Sequence, residues 1–257
     1  MVIAATIHTR YKGEENKVNK IEELFNTDER IIIRHKKREK IFTFAYSIFD
    51  IRQWPYIVKW WKSNRPGITP YGDEAPWITY RATNFLSKNL PNNAKIFEYG
   101  SGGSTLYYSK KAENLISVEH DKSWYKILQA ELKKRKVENC LYLSRPSKKS
   151  KDSLHEYFNS WREQEVSFKD YVEAIAGYKD DSFDLVSVDG RSRVACVKEA
   201  YNKVRSGGLI LLDNSDRKDY FSAHLFLRDK GCSPHHFFGL VGYETLLSQT
   251  TIWVVNK

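Results

Sequence analysis

The chain predicts an α/β fold: a mostly parallel sheet layered by helices, closed by an antiparallel hairpin and preceded by an N-terminal extension. Three observations carry this. Short apolar runs alternate with helix-period segments from about residue 95 to residue 230. The first run, Lys95-Ile-Phe-Glu-Tyr, feeds directly into the turn Gly100-Ser-Gly-Gly103. The last two runs, near 235–241 and 249–255, have no helix between them and therefore pair antiparallel across a connection at 240–248.

Taken in order, residues 1–27 are polar and weakly patterned, with little order expected. Ile31-Ile-Ile33 reads as a short strand and Arg34 to Lys40 as a charge cluster. Ile41 to Trp61 is rich in aromatics, and Pro55 splits it into two pieces. This stretch reads first as a cover packed on the main domain, and secondly as a membrane-surface or substrate-gripping element. Asn64 to Pro70 is turn-rich and sets a boundary, so 1–70 is the extension and 71–257 the main domain. Pro76 to Leu86 has helical spacing, with Trp77, Tyr80 or Arg81, Phe85 and Leu86 on one face, packed beside the first strand.

The core then alternates: strand 95–99, helix 104–112, strand 115–119, helix 122–136 and strand 140–144. Trp124, Ile127, Leu128 and Leu132 make the face of the second helix. A basic, serine-rich insertion at 146–168 interrupts before a short helix at 171–176. Strand 183–189, helix 192–204, strand 207–213 and helix 218–230 complete the series. Repeated β-α-β units require parallel strands with helices on both faces.

Composition bounds the function. The 257 residues suffice for a full core, and the three cysteines are scattered, as in a reduced, cytoplasmic protein. No secretory leader pattern opens the chain, and no apolar run is long enough to span a membrane. The net charge of +10 is uneven: residues 1–70 carry 14 Lys/Arg against 8 Asp/Glu, and the remainder 28 against 24. A basic arm suits a solvated surface, nucleic acid, an anionic membrane or an acidic substrate.

The glycine turn carries the chemistry. Gly100, Gly102 and Gly103 have no evident packing purpose there, and they let the backbone approach a ligand closely. Glu98 precedes the turn, and the next strand, Leu115-Ile-Ser-Val-Glu-His-Asp121, also ends on acid. Strand, glycine turn, helix, strand and acid is the layout of a nucleotide-type cofactor site.

From residue 76 onward the chain resembles the class I S-adenosylmethionine-dependent methyltransferases. Phe97-Glu-Tyr-Gly-Ser-Gly-Gly103 is similar to the family's first motif and Val118-Glu119 to its acidic second-strand end. Phe183-Asp-Leu-Val-Ser-Val-Asp189 and Gly207-Gly-Leu-Ile-Leu-Leu-Asp213 are similar to its fourth and fifth strands, and the hairpin matches. The resemblance implies a Rossmann-like, seven-stranded sheet and S-adenosyl-L-methionine as cofactor. Glu98 would attract the methionine ammonium, and backbone N–H groups of Ser101, Gly102, Gly103, Ser104 and Thr105 would receive the carboxylate. Glu119 would accept the ribose hydroxyls, with His120 at the cofactor's rim. Asp170 and Tyr171 are the adenine candidates.

A second constellation is Asp189 with Asp213 and Asn214, hard oxygen ligands suited to Mg²⁺ or another divalent cation. It resembles the catechol-type O-methyltransferases, whose metal holds the acceptor hydroxyls. That group's nearby lysine has no match in Gly190-Arg-Ser-Arg193, so Arg191 or Arg193 would supply charge or grip a substrate carboxylate, with Asp189 as base or substrate contact. Without a metal, Asp213 and Asn214 would cap structure. The Val-Asp-Gly-Arg-Ser-Arg and Leu-Asp-Asn-Ser pairing is also similar to bacterial sugar- or metabolite-tailoring methyltransferases.

The function implied is methyl transfer to oxygen of a small molecule or glycan. The alternatives are a nucleic-acid-binding or -modifying enzyme, an aminopropyltransferase, and a methyltransferase fold kept only for binding. The absence of an Asn/Asp-Pro-Pro-Tyr motif argues against a base-nitrogen target, and the scarcity of acid argues against a polyamine one.

Overall fold

The computed structural model describes residues 46, 49–150, 155–159 and 166–257. The expected strand at 31–33, the charge cluster at 34–40 and parts of the 146–168 insertion lie outside the described residues.

A seven-stranded sheet forms the centre. Its strands are β1 (Ala94–Tyr99), β2 (Ala112–Glu119), β3 (Cys140–Ser144), β4 (Phe183–Val188), β5 (Val204–Asp213), β6 (Ser233–Leu240) and β7 (Leu247–Val254). The spatial order is β3-β2-β1-β4-β5-β7-β6. The first five are parallel, and β7 enters antiparallel between β5 and β6. The fold class and the closing hairpin expected from the sequence are both present. Reversal of strand order between β1 and β4 opens a crevice at the carboxyl ends, where ligands bind in open α/β sheets.

The strand pleat sorts side chains by alternation. Phe97, Tyr99, Val186, Val188, Ile210 and Leu212 face one cluster, which Ala195, Cys196 and Val197 of the helix Arg193–Lys203 and Ala223 and Leu227 of the helix Phe221–Asp229 complete. Ile96, Leu115, Leu185, Leu209 and Leu211 face the other. Counted along the chain, α1 is Trp54–Ser63, α2 Tyr80–Asn89, α3 Gly103–Ser109, α4 Lys122–Lys134, α5 Arg193–Lys203 and α6 Phe221–Asp229.

Several expectations are corrected. The helix expected at 76–86 starts at Tyr80, because Thr79 keeps an extended backbone and its hydroxyl accepts the Ala82 N–H at 3.4 Å. Trp77 therefore lies outside the helix and is exposed. Helix α2 also lies largely over the hairpin: the Phe85 ring packs 4.8 Å from His235 and 5.3 Å from Phe237. On α4, Leu128 and Leu132 are buried whereas Ile127 is exposed, since spacing of four keeps 124, 128 and 132 on one side.

Pro55 does mark a boundary. A 3₁₀ turn at Ile51–Gln53 precedes it, and it occupies the first turn of α1, where no N–H is needed. Gln53 then ties the segment to the hairpin, accepting the Leu240 N–H at 3.1 Å and donating to the Phe238 carbonyl at 3.3 Å. The insertion forms a small ribbon, Lys148–Lys149 against Val166–Ser167, followed by a helical turn at Lys169–Val172.

Candidate functional site

The glycine turn sits where β1 leaves the sheet, and its three glycines have separate causes. Gly100 has φ +90°, and a Cβ there would lie 2.8 Å from Gly190 Cα and 2.9 Å from the Asp189 carbonyl carbon. The turn thus packs backbone to backbone on the end of β4. Gly103 lies under the Pro70 and Ala75 carbonyls and has no room for a side chain. Both do serve packing, contrary to the sequence reading. Gly102 alone opens onto space, with nothing within 4 Å of its Cβ position.

Glu98 lies one layer below. Alternation in β1 turns it onto the α3 face, in register with Ser117 of β2 and Ser187 of β4. Its Oε2 accepts the Thr105 and Ser117 hydroxyls, each at 2.6 Å, and Thr105 Oγ1 accepts the Gly102 N–H at 2.9 Å. The carboxyl therefore braces the turn through Thr105. It is fully buried, and Oε1 has no hydrogen-bond partner. Burial pushes its pKa up to about 7, against the lowering influence of Ser104, Ser117 and Thr105.

Glu119 ends β2 as a hub. Oε2 accepts the Ser101 N–H at 3.1 Å and the Ser101 hydroxyl at 2.7 Å. Oε1 accepts the backbone N–H groups of His120 and Asp121, each at 2.8 Å. Burial alone would raise its pKa. These donors and the His120 ring, with Nδ1 2.9 Å from Oε1, outweigh that and hold it below the usual value. The His120 ring is edge-on to Phe168 at 5.6 Å and Tyr171 at 5.8 Å.

Two aromatics at the turn were not singled out by sequence as site residues. Trp124 Nε1 donates to the Ser101 carbonyl at 2.9 Å, and the Tyr142 hydroxyl lies 2.7 Å from Ser101 Oγ. A detectable signal existed for Tyr142: alternation in β3 sets it opposite the exposed Leu141.

The adenine candidates separate. Asp170 is exposed and ion-paired with Lys148. Tyr171 is fully buried 5.3 Å from the Tyr99 ring, and its hydroxyl abuts Gly190 with no hydrogen-bond partner.

Asp189, Asp213 and Asn214 do converge, but around Arg193. The guanidinium donates to Asp189 Oδ1 at 2.7 Å, the Asp189 carbonyl at 3.1 Å and the Gly190 carbonyl at 3.0 Å. It also reaches the Asp213 carbonyl at 2.5 Å and Asn214 Oδ1 at 3.5 Å. Asp213 Oδ1 accepts the Thr250 hydroxyl at 2.6 Å. Burial, then the charge of Asp189, pushes Asp213 up to about 7 despite Arg193. Burial likewise raises Asp189, with Arg193 opposing.

A buried cation thus stands among the oxygens expected to hold a divalent ion, and the donor set does not fit one. Among the described residues no group of three or more His, Cys, Asp or Glu is arranged for a metal. Arg193 is also corrected as a substrate grip, because its N–H groups are spent on the ends of β4 and β5. Asp189, with 30% of its side chain exposed, is the more open acid of the pair. Arg191 is half-buried at the start of the loop before α5.

No family model and no curated protein matches this chain. Among solved structures, it is similar to a methyltransferase-like protein from Silicibacter pomeroyi DSS-3, at 23% identity over 70% of this chain and 89% of that one, with a TM-score of 0.47. It is similar to a SAM-dependent O-methyltransferase from Thermotoga maritima, at 11% identity over 72% and 69%, TM-score 0.44. It is also similar to an rRNA methylase from Streptococcus thermophilus, at 8% identity over 69% and 96%, TM-score 0.48. The fold stands on the strand order and register of this chain.

Proposed function

We propose that this chain is an S-adenosylmethionine-dependent methyltransferase acting on an oxygen of a small molecule or glycan. The observation that carries the reading is the glycine turn at the β1/β4 reversal. Two of its glycines are committed to packing, and the third faces open space between a bracing acid and an acidic hub. That division fits a cradle whose backbone must come close to a ligand on one side only.

The residues present fit the cofactor. The turn's open side at Gly102 would receive the methionine end, with the buried carboxyl of Glu98 below it. Glu119 would exchange the Ser101 hydroxyl for ribose hydroxyls. When bound, the cofactor supplies an activated methyl group on a sulfonium. The protein's part is alignment and removal of the acceptor's proton. Asp189, held by Arg193 through Oδ1 at the end of β4, would take the second task. No step is assigned to a metal. Residues 50–63, tied to the hairpin through Gln53, would act as a cover.

Calorimetry with S-adenosylmethionine and S-adenosylhomocysteine tests the reading. Binding of both is expected, and no heat from either at millimolar concentration would sink it.

A further inference from the structure

Helix α1 has two opposed faces. Inward, Tyr56 stacks on Tyr80 at 5.7 Å, Trp60 Nε1 donates to the Glu244 carbonyl at 2.8 Å, and Ser63 Oγ lies 2.8 Å from the Tyr80 hydroxyl. Outward, Trp54, Val58 and Trp61 are spaced by four and three residues, which keeps them on one stripe. All three stay more than half exposed, at 56%, 63% and 62%, and Ile51 and Phe49 extend the patch at 70% and 88%. A run of five large exposed apolar side chains on one short segment calls for a covering partner.

Charge says which partner. From residue 50 to residue 72 the chain carries Arg52, Lys59, Lys62 and Arg65 against one acid, Asp50. Lys62 flanks the stripe and the Arg65 guanidinium stacks 4.5 Å over the Trp61 ring, whereas Arg52 pairs with Asp50 at 2.8 Å and Lys59 Nζ lies 5.2 Å over the inward Tyr80 ring. A second protein would bury the stripe but has no call for the two cations, Lys62 and Arg65, at its edge. Tryptophan with flanking Lys and Arg on one face of a helix matches a headgroup boundary, where rings enter the apolar layer and cations reach outward to phosphates. The inward bond from Trp60 to Glu244 places α1 beside the hairpin connection, at the carboxyl edge of the parallel strands.

We propose that the outward face of α1 docks on an anionic lipid surface. The helix lies in the interface plane, with Trp54, Val58 and Trp61 toward the acyl chains and Lys62 and Arg65 at the phosphates. Among the described residues no helix is long and apolar enough to cross a membrane. The proposal is independent of the methyl-transfer reading.

The test is flotation of the full chain with vesicles of phosphatidylcholine, and of phosphatidylcholine mixed with phosphatidylglycerol, at low and raised salt. The wild type is expected on the anionic vesicles, with release by salt. The double variant Val58→Ser/Trp61→Ser should lose affinity by about tenfold or more. Lys62→Gln/Arg65→Gln should lose about thirtyfold on anionic vesicles alone, at about 1 kcal/mol per cation. Unchanged circular dichroism would show that both remain folded, as their outward position predicts. Three results would overturn the proposal: equal or no binding to both vesicles, full affinity in the apolar double variant, or loss of oligonucleotide binding in these variants with vesicle binding intact.

Discussion

Gly100 and Gly102 stand two residues apart, and the structure assigns them opposite sensitivities. Gly100→Ala must hold a side chain at φ +90° and place its Cβ 2.8 Å from Gly190 and 2.9 Å from Asp189. The backbone conformation costs roughly 1–2 kcal/mol. The overlap adds roughly 1–3 kcal/mol, because the opposing atoms are backbone and cannot rotate away. A loss of about 3 kcal/mol in a domain of this size lowers Tm by about 10 °C. Gly102 has φ 173°, which is extended, and its Cβ position is empty. Gly102→Ala should therefore change stability by less than about 0.5 kcal/mol. It should weaken S-adenosylhomocysteine by about tenfold or more, because the methyl fills the side reserved for the ligand. Differential scanning calorimetry reads the first effect and titration calorimetry the second. If Gly102→Ala binds the product as the wild type does, the cradle reading is wrong. If Gly100→Ala melts normally, the packing of the turn on β4 is wrong.

Other expectations follow from the same geometry. Glu98→Gln should flatten the pH dependence of stability: a carboxyl whose folded pKa is raised from 4.5 to about 7 contributes most below 4.5 and loses that contribution as pH rises through 7, in total about 3 kcal/mol. Thermal melts of wild type and variant from pH 4 to 8 should therefore diverge, with the wild type falling faster as pH rises. Arg193→Met strands Asp189 and Asp213 without their cation and should cost about 3–5 kcal/mol by urea unfolding, whereas Arg193→Lys should recover part of it. Tyr171→Phe removes a buried hydroxyl that has no hydrogen-bond partner, so stability should hold or rise by about 1 kcal/mol in the same assay.

Strands such as β4 and the end of β5 were legible because they are apolar runs bounded by polar or glycine residues, as a sheet covered on both sides requires, whereas β7 buries Ser248, Gln249, Thr250 and Thr251. Helix starts were less so. Thr79 delayed α2 by several residues, a capping effect that periodicity alone does not register. Acidic residues at strand ends were visible as site candidates, but their directions were not. Glu98 and Glu119 look alike as acids beside the glycine turn. One is turned by alternation under α3, and the other ends its strand among N–H donors.

By itself the sequence determined the layer architecture, the parallel order with its closing hairpin, and the edge at which acids and glycines gather. These depend on local pattern, which is written along the chain. Only the tertiary structure decided what each site residue faces. It set Gly100 against Gly190 and Gly103 beneath the Pro70 carbonyl, leaving Gly102 open. It brought Arg193 between Asp189 and Asp213, so that a guanidinium holds the place the sequence reading gave to a metal. Those relations join residues distant in sequence, and their outcome depends on which polar groups the packed fold brings within bonding distance in three dimensions.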